Sequence, residues 1–100
     1  MEFVIENHIR EFGKTRARGQ YSDATIKNYI SSIRSLHRMV NGKEAMFDDL
    51  DWARDHENVF KVVAQKENVQ TRRNLVNGLI VSLQTLGFKH DTIKPYEDLR

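Results

Sequence analysis

Apolar residues recur at steps of three and four along residues 22–40, which is the spacing of one face of an α-helix. The opposite positions hold amides, hydroxyls and cations, with no carboxylate after Asp23. Ser22 is suited to cap the first turn, and Asn41-Gly42 is suited to end the helix. The pattern therefore predicts one amphipathic helix whose inward stripe is Ile26, Tyr29, Ile30, Ile33, Leu36 and Val40.

A second long helix is predicted from Thr71, as a hydroxyl cap, to a stop at Gly87. Aligning Thr25 with Thr71 superposes Asn28 on Asn74 and apolar positions on apolar positions, which makes a weak internal repeat. Gly78, in the middle of this helix, predicts the close approach of a neighbouring backbone. The apolar stripe of the helix comprises Leu75, Val76, Leu79, Ile80, Leu83 and Leu86.

Shorter segments complete the predicted fold. Residues 2–12 predict a helix that ends at Gly13 and turns Phe3, Ile5, Ile9 and Phe12 inward, and residues 57–65 predict another, largely buried helix. Residues 43–55 form an acidic crossover, in which Phe47, Leu50 and Trp52 pack into the core and Asp49 or Asp51 caps a short helix. Residues 90–94 are predicted to be an exposed connector before a last turn that Pro95 opens.

Composition narrows the class of protein. One hundred residues with a single proline, five glycines and recurrent helical periodicity predict one all-α domain, a compact bundle of four to five helices. The absence of cysteine excludes disulfides and thiolate chemistry. No apolar run is long enough for a membrane span, and no signal peptide is recognisable, so we expect a soluble intracellular protein, with cytoplasm and nucleus undecided.

Charge is distributed unevenly along the chain. The net charge is +2, but residues 1–40 hold seven Lys or Arg against four Asp or Glu, and residues 69–100 hold five against three. Residues 41–68 reverse this balance, with four basic residues against seven acidic ones. The positive excess falls with the two long helices, which is the distribution expected of a surface that meets a polyanion.

No arrangement of residues indicates catalysis. The four histidines are isolated from one another, and without cysteines they give no zinc site. A calcium loop starting at Asp48 would need glycine at its sixth position and glutamate at its twelfth, where the chain has Ala53 and Val59. Phosphate-binding glycine loops and nucleophile elbows are absent from the sequence. We therefore expect no catalytic residue, metal, cofactor or small-molecule substrate, and take binding as the function.

The sequence resembles the amino-terminal core-binding domain of tyrosine recombinases, also called phage integrases. The resemblance rests on the helix from Thr25 to Leu36, the acidic crossover around Leu50-Asp51-Trp52, and the second helix opening Thr71-Arg72-Arg73-Asn74-Leu75. It covers nearly the whole chain and implies a SAM-like bundle that forms one half of a clamp around duplex DNA. Residues 1–94 would be this domain, and residues 95–100 would begin a linker towards a catalytic domain absent from this chain, which alone would not be an enzyme.

Carried over by position, the resemblance implies DNA contacts from two helices and a basic loop, mostly to phosphates. The expected partner is double-stranded DNA during recombination or integration, with other recombinase protomers as further partners and no membrane. The implied contact residues are Lys27, Ser31, Arg34 and Arg38 on the first helix, Thr71, Arg72, Arg73, Asn74 and Asn77 on the second, and Lys14, Arg16 and Arg18 in the loop.

Other interpretations of the same residues stay open. A helical protein-interaction or oligomerisation module without DNA binding would need an exposed apolar patch, for which Met39, Val81 and Phe88 are candidates. A free-standing viral or regulatory helical protein is a third interpretation, because helical bundles host many functions. The arginines could equally be ordinary solvated helix charges, and residues 14–19 a solvated loop.

Overall fold

Five α-helices make up the part of the chain that the structure describes, and their order follows the predicted pattern. The computed structural model describes residues 2–16 and 19–99. The helices are α1 (Glu2–Lys14), α2 (Asp23–Asn41), α3 (His56–Ala64), α4 (Val69–Thr85) and α5 (His90–Leu99), with a 3-10 turn at Asp51–Arg54 before α3. No strand occurs within the described ranges, and the predicted all-α bundle is confirmed.

α4 lies at the centre of the bundle and packs against each of the other four α-helices. From Leu75 to Leu83 only Asn77 is more than marginally accessible, because apolar residues occur on every side of this stretch. α2 meets α4 at Gly78, where an added Cβ would lie 2.8 Å from Ser32 Cβ and 3.1 Å from the Tyr29 carbonyl oxygen. The close backbone approach predicted for Gly78 is confirmed.

α2 is amphipathic in the predicted register. Ile26, Ile33 and Leu36 are buried, whereas Tyr29, Ile30 and Val40 of the same stripe are half-buried. The Ser22 side chain caps the helix by accepting a hydrogen bond from the Thr25 backbone N–H at 3.1 Å. Gly42 ends the helix with φ 97°, and its N–H donates to the Arg38 carbonyl. Both predicted ends of α2 are confirmed.

α4 begins two residues before the predicted cap. Asn68, rather than Thr71, is its N-cap, and the Asn68 Oδ1 accepts the Thr71 backbone N–H at 3.1 Å. Thr25 has the same position relative to Ser22 in α2. The alignment of Thr25 with Thr71 therefore matched equivalent positions, whereas the assignment of Thr71 as cap was wrong.

Two predictions for α1 are also wrong. Gly13 does not end the helix, which continues to Lys14, because glycine in a helix costs only about 1 kcal/mol relative to alanine. Phe3 is 73% exposed, while Ile5 and Ile9 are fully buried. A residue two positions from Ile5 points to the far side of a helix, so Phe3 and Ile5 cannot share the inward stripe.

α5 begins earlier than predicted and contributes to the core. Residues 90–94 are helical rather than an exposed connector, with Thr92 and Ile93 buried. The helix continues through Pro95 to Leu99, so the predicted start of a linker at residue 95 lies inside α5. Tyr96 is fully buried and its hydroxyl donates to the Ala53 carbonyl. Burial raises the pKa of Tyr96, and the nearby Asp55 charge adds to the effect.

The crossover between α2 and α3 packs through its apolar residues, as predicted. Leu50 is buried, and Phe47 and Trp52 pack against the core. The Asp49 carboxylate accepts the Asp51 backbone N–H at 3.0 Å, beside the start of the 3-10 turn. The N-cap position itself is Leu50, which has no side-chain cap, so the assignment of Asp49 or Asp51 as cap was wrong. The polar side chains of the crossover remain at the surface, which makes it the acidic side of the molecule.

The bundle has a radius of gyration of 12.8 Å, close to the roughly 13 Å expected for a folded domain of 100 residues. Across residues 2–16 and 19–99, none of the helices combines the length and the apolar character needed to cross a membrane.

Candidate nucleic-acid interface

The outward side of α2 is a polar surface, here called the α2 polar face. Its members are all exposed, and their spacing of three or four residues places them on adjacent turns. Three of them are cationic and none is acidic, as the sequence pattern predicted. The face comprises Lys27, Asn28, Ser31, Arg34, Ser35 and Arg38.

The carboxylates that adjoin this face are held by Arg10. Lys27, Ser31 and Arg34 line a shallow depression next to α1, in which Glu6 is the acidic residue. The Arg10 guanidinium lies 3.1 Å from Glu6 Oε1 and 2.7 Å from Asp23 Oδ1. These hydrogen bonds raise the pKa of Arg10, and the bond from Arg10 lowers the pKa of Asp23.

Two cations of the face keep their charge available to a ligand. Within the described parts of the chain, neither Lys27 nor Arg38 takes part in a salt bridge. An anion that binds here therefore gains charge-assisted hydrogen bonds without first breaking an internal ion pair of these two residues.

Two residues of the predicted basic loop, Lys14 and Arg16, make local contacts. Lys14 is the last residue of α1 and pairs with Glu11 at 3.0 Å. The Arg16 guanidinium lies over the Tyr21 ring, 3.9 Å from its centroid, in a cation–π contact. Arg18, the third predicted contact of the loop, lies outside the described residues.

Arg72 and Arg73 line a different depression from Lys27 and Arg34. Neither guanidinium makes a hydrogen bond or ion pair with the residues that the structure describes, and no residue lining this depression is acidic. We call it the α3–α4–α5 groove, and its lining residues are Phe60, Val63, Ala64, Val69, Arg72, Arg73, Val76 and Leu99.

The other predicted contacts on α4 are polar residues of its surface. Thr71 and Asn74 are exposed and Asn77 is half-buried. The Asn74 Oδ1 accepts a hydrogen bond from the Gln70 side chain at 3.0 Å, so a phosphate contact by Asn74 would use its amide N–H groups. The role of these three residues in DNA binding stays a prediction.

The exposed apolar patch that a protein-interaction module would need was assigned to the wrong residues. Val81 is only 7% exposed, and Met39 and Phe88 pack against the core. Among described residues the exposed large apolar side chains are Phe3, Val4, Met46, Val69 and Leu99. Val69 and Leu99 meet in the α3–α4–α5 groove, which sequence patterns missed because these residues lie far apart in the chain.

Comparisons with protein-family models, with curated proteins and with solved structures find no match to this chain. The resemblance to recombinase core-binding domains, including the SAM-like topology, therefore stays a prediction. In the described part of the chain, no group of three or more histidines and carboxylates is arranged to hold a metal ion.

Proposed function

We propose that this chain binds the phosphate backbone of duplex DNA through the α2 polar face. The observation that carries the proposal is the exposed set of Lys27, Ser31, Arg34 and Arg38 along one side of a single helix. Cations interleaved with hydroxyls and amides are the groups that proteins use to contact phosphates. Arg10 supports this role because it pairs with the two neighbouring carboxylates, which would otherwise repel DNA.

The dimensions of the helix suit such a contact. From Lys27 to Arg38 the face extends about 16 Å along α2, at the usual rise of about 1.5 Å per residue. An α-helix fits into the major groove of duplex DNA or lies across the phosphates at its edges. About three phosphate contacts would give a slope of log affinity against log salt near −3, and would discriminate little between sequences.

The recombinase resemblance supports a narrower version of this proposal. In that version the chain is the core-binding half of a DNA clamp, and Arg72, Arg73 and Asn74 supply a second set of contacts from α4. Cleavage and rejoining of DNA would belong to a separate catalytic domain.

The test is a titration of a fluorescent duplex with the purified chain at about 50 mM and about 200 mM salt. We expect saturable binding that weakens by a factor of about 60 between these conditions, as a slope of −3 requires. The variant Lys27→Ala/Arg38→Ala should reduce the magnitude of the slope by about two.

A matched control removes two exposed lysines elsewhere, Lys61 and Lys89, and should leave the slope nearly unchanged. This pair separates a local contact from a general effect of net charge. Absence of saturable binding at low salt, or equal slopes for the two double variants, would contradict the proposal.

A further inference from the structure

The α3–α4–α5 groove combines apolar walls with two arginines. It encloses about 270 Å³, slightly less than the roughly 300–1,000 Å³ of typical small-molecule sites, which suits a side-chain anchor better than a cofactor. Val69 and Leu99 in its lining are 52% and 48% exposed. An apolar side chain flanked by carboxylates would cover these walls and face Arg72 and Arg73 at the same time.

The electrostatics of α4 favour such an acidic occupant. α2, α3 and α5 each carry an acidic residue in their first turn, whereas α4 has none there and places Arg72 and Arg73 close to its start. The amino terminus of a helix is its positive end, so cations near it lower helix stability and an external carboxylate would restore it.

A complementary feature lies elsewhere on the same chain, in residues 43–49, here called the Met46 loop. Met46 is 80% exposed, more than any other large apolar residue among those described. Glu44, Asp48 and Asp49 surround it and are exposed. With Lys43 included, three acidic residues against one basic residue give the loop a net charge of −2.

Aromatic residues hold this loop in place, and of these His37 is buried. The His37 Nε2 lies 3.2 Å from the Met46 carbonyl oxygen, and the His37 ring stacks on Phe47 with centroids 4.6 Å apart. At the far end, the Trp52 Nε1–H donates to the Asp49 carbonyl at 3.0 Å. Because the loop is held at Met46 and Phe47 and again at Asp49, presenting Met46 to a partner costs little additional ordering.

We propose that the Met46 loop of one copy docks in the α3–α4–α5 groove of a second copy. The flexible, polarizable Met46 side chain enters the apolar walls, where methionine adapts well to irregular shapes, and the loop carboxylates face Arg72 and Arg73. The loop and the groove share no residue, so each copy carries one of each, and the contact forms either twice in a closed twofold dimer or once per neighbour in a head-to-tail chain. The inference does not depend on DNA binding, since neither surface includes a residue of the α2 polar face.

Head-to-tail contact has a specific consequence for assembly. Every open dimer retains one unoccupied loop and one unoccupied groove, so oligomers grow with concentration unless they close into a ring, of which the twofold dimer is the smallest. A contact centred on one anchor is smaller than the roughly 1,200–2,000 Å² of stable interfaces, so the association is weak.

The first test is analytical ultracentrifugation of the full chain without DNA, from about 10 μM to about 1 mM, a range that spans weak association. We expect the average mass of the wild type to rise with concentration above that of the monomer. Met46→Glu and Arg72→Glu/Arg73→Glu should each weaken association at least tenfold. Phe3→Glu changes an exposed apolar residue outside both surfaces and should associate like the wild type; circular dichroism confirms that each variant is folded.

Mixing the two deficient variants gives a sharper result. Met46→Glu retains an intact groove and Arg72→Glu/Arg73→Glu retains an intact loop, so the mixture can form one contact and should stop at a one-to-one heterodimer. A wild type that stays monomeric at about 1 mM would overturn the proposal. Association that neither variant weakens, or a mixture that stays monomeric while the wild type associates, would overturn it as well.

Discussion

The α2 polar face and the α3–α4–α5 groove both present cations, but in opposite surroundings. On α2 the charges alternate with hydroxyls and amides, whereas six apolar residues surround Arg72 and Arg73 in the groove. Phosphate oxygens match the first surface and would leave the apolar walls of the second uncovered. The two basic surfaces therefore differ in the groups between their charges rather than in the presence of charge.

The two helices that carry these surfaces also differ in how much of each is exposed to solvent. α2 keeps one side in solvent, while α4 is surrounded by other helices over most of its length. Substitutions on the outward side of α2 should therefore change binding and spare stability. Substitutions in the middle of α4 should do the reverse, and four experiments test this division.

The largest effect is expected from Leu79→Ala in α4. Leu79 is fully buried, and removing its side chain should lower the free energy of unfolding by about 2–5 kcal/mol through lost burial and the cavity left behind. Lys27→Ala on α2 should change the same quantity by no more than about 0.5 kcal/mol. Urea unfolding measures both, and similar losses in the two variants would show that the helices are not divided in this way.

The next effect concerns the contact between α2 and α4. The new methyl group of Gly78→Ala meets Ser32 Cβ and the Tyr29 carbonyl oxygen, an overpacking that should cost about 1–3 kcal/mol. Alanine returns about 1 kcal/mol in helix propensity, so the free energy of unfolding should fall by up to about 2 kcal/mol. Adding Ser32→Gly should recover part of the loss. A stabilised Gly78→Ala protein would show that the helices can move apart at little cost.

A third experiment compares the two basic surfaces directly in DNA binding. Lys27→Ala/Arg38→Ala should reduce the salt slope by about two, whereas Arg72→Ala/Arg73→Ala should leave it nearly unchanged if the groove binds a protein segment. The recombinase resemblance predicts instead that the second variant also loses about one unit of slope per contact. Equal losses would therefore favour a DNA surface that extends across both helices.

The smallest expected effect is the pH dependence of the stability that the Arg10–Asp23 ion pair gives, which joins α1 to α2. Arg10 lowers the pKa of Asp23, so the pair stabilises the fold above the ordinary aspartate value of 3.8 and loses this contribution as pH falls through the lowered value. Asp23→Asn and Arg10→Ala should each make the free energy of unfolding less dependent on pH over the same acidic range. Their combination should reduce this dependence no further, and additive effects would show that the two groups act separately.

Features that depend on neighbouring residues could be predicted from the sequence. The Ser22 cap, the Gly42 stop and the outward face of α2 follow from signals within a few residues of one another. The cap of α4 was missed because Asn68 and Thr71 are both good capping residues. The internal repeat indicates Asn68 as the cap, since Ser22 precedes Thr25 by the same interval at which Asn68 precedes Thr71.

Features that depend on tertiary packing could not be predicted in this way. Thr92 and Ile93 stand among polar residues, so nothing local shows that they are buried. The α3–α4–α5 groove brings Val63, Val69 and Leu99 together from three helices, and no periodicity along the chain relates them. The face on one helix was therefore predictable, whereas the groove formed by three was not.

In our proposal DNA meets the α2 polar face, and the α3–α4–α5 groove is left to another partner. The most direct test follows the backbone amide NMR signals of the labelled chain during titration with a short duplex at low salt. We predict that the largest shifts fall between Lys27 and Arg38, with little change at Val63, Val69 and Leu99. Shifts concentrated in the groove, or no shifts anywhere, would contradict DNA binding at the α2 polar face.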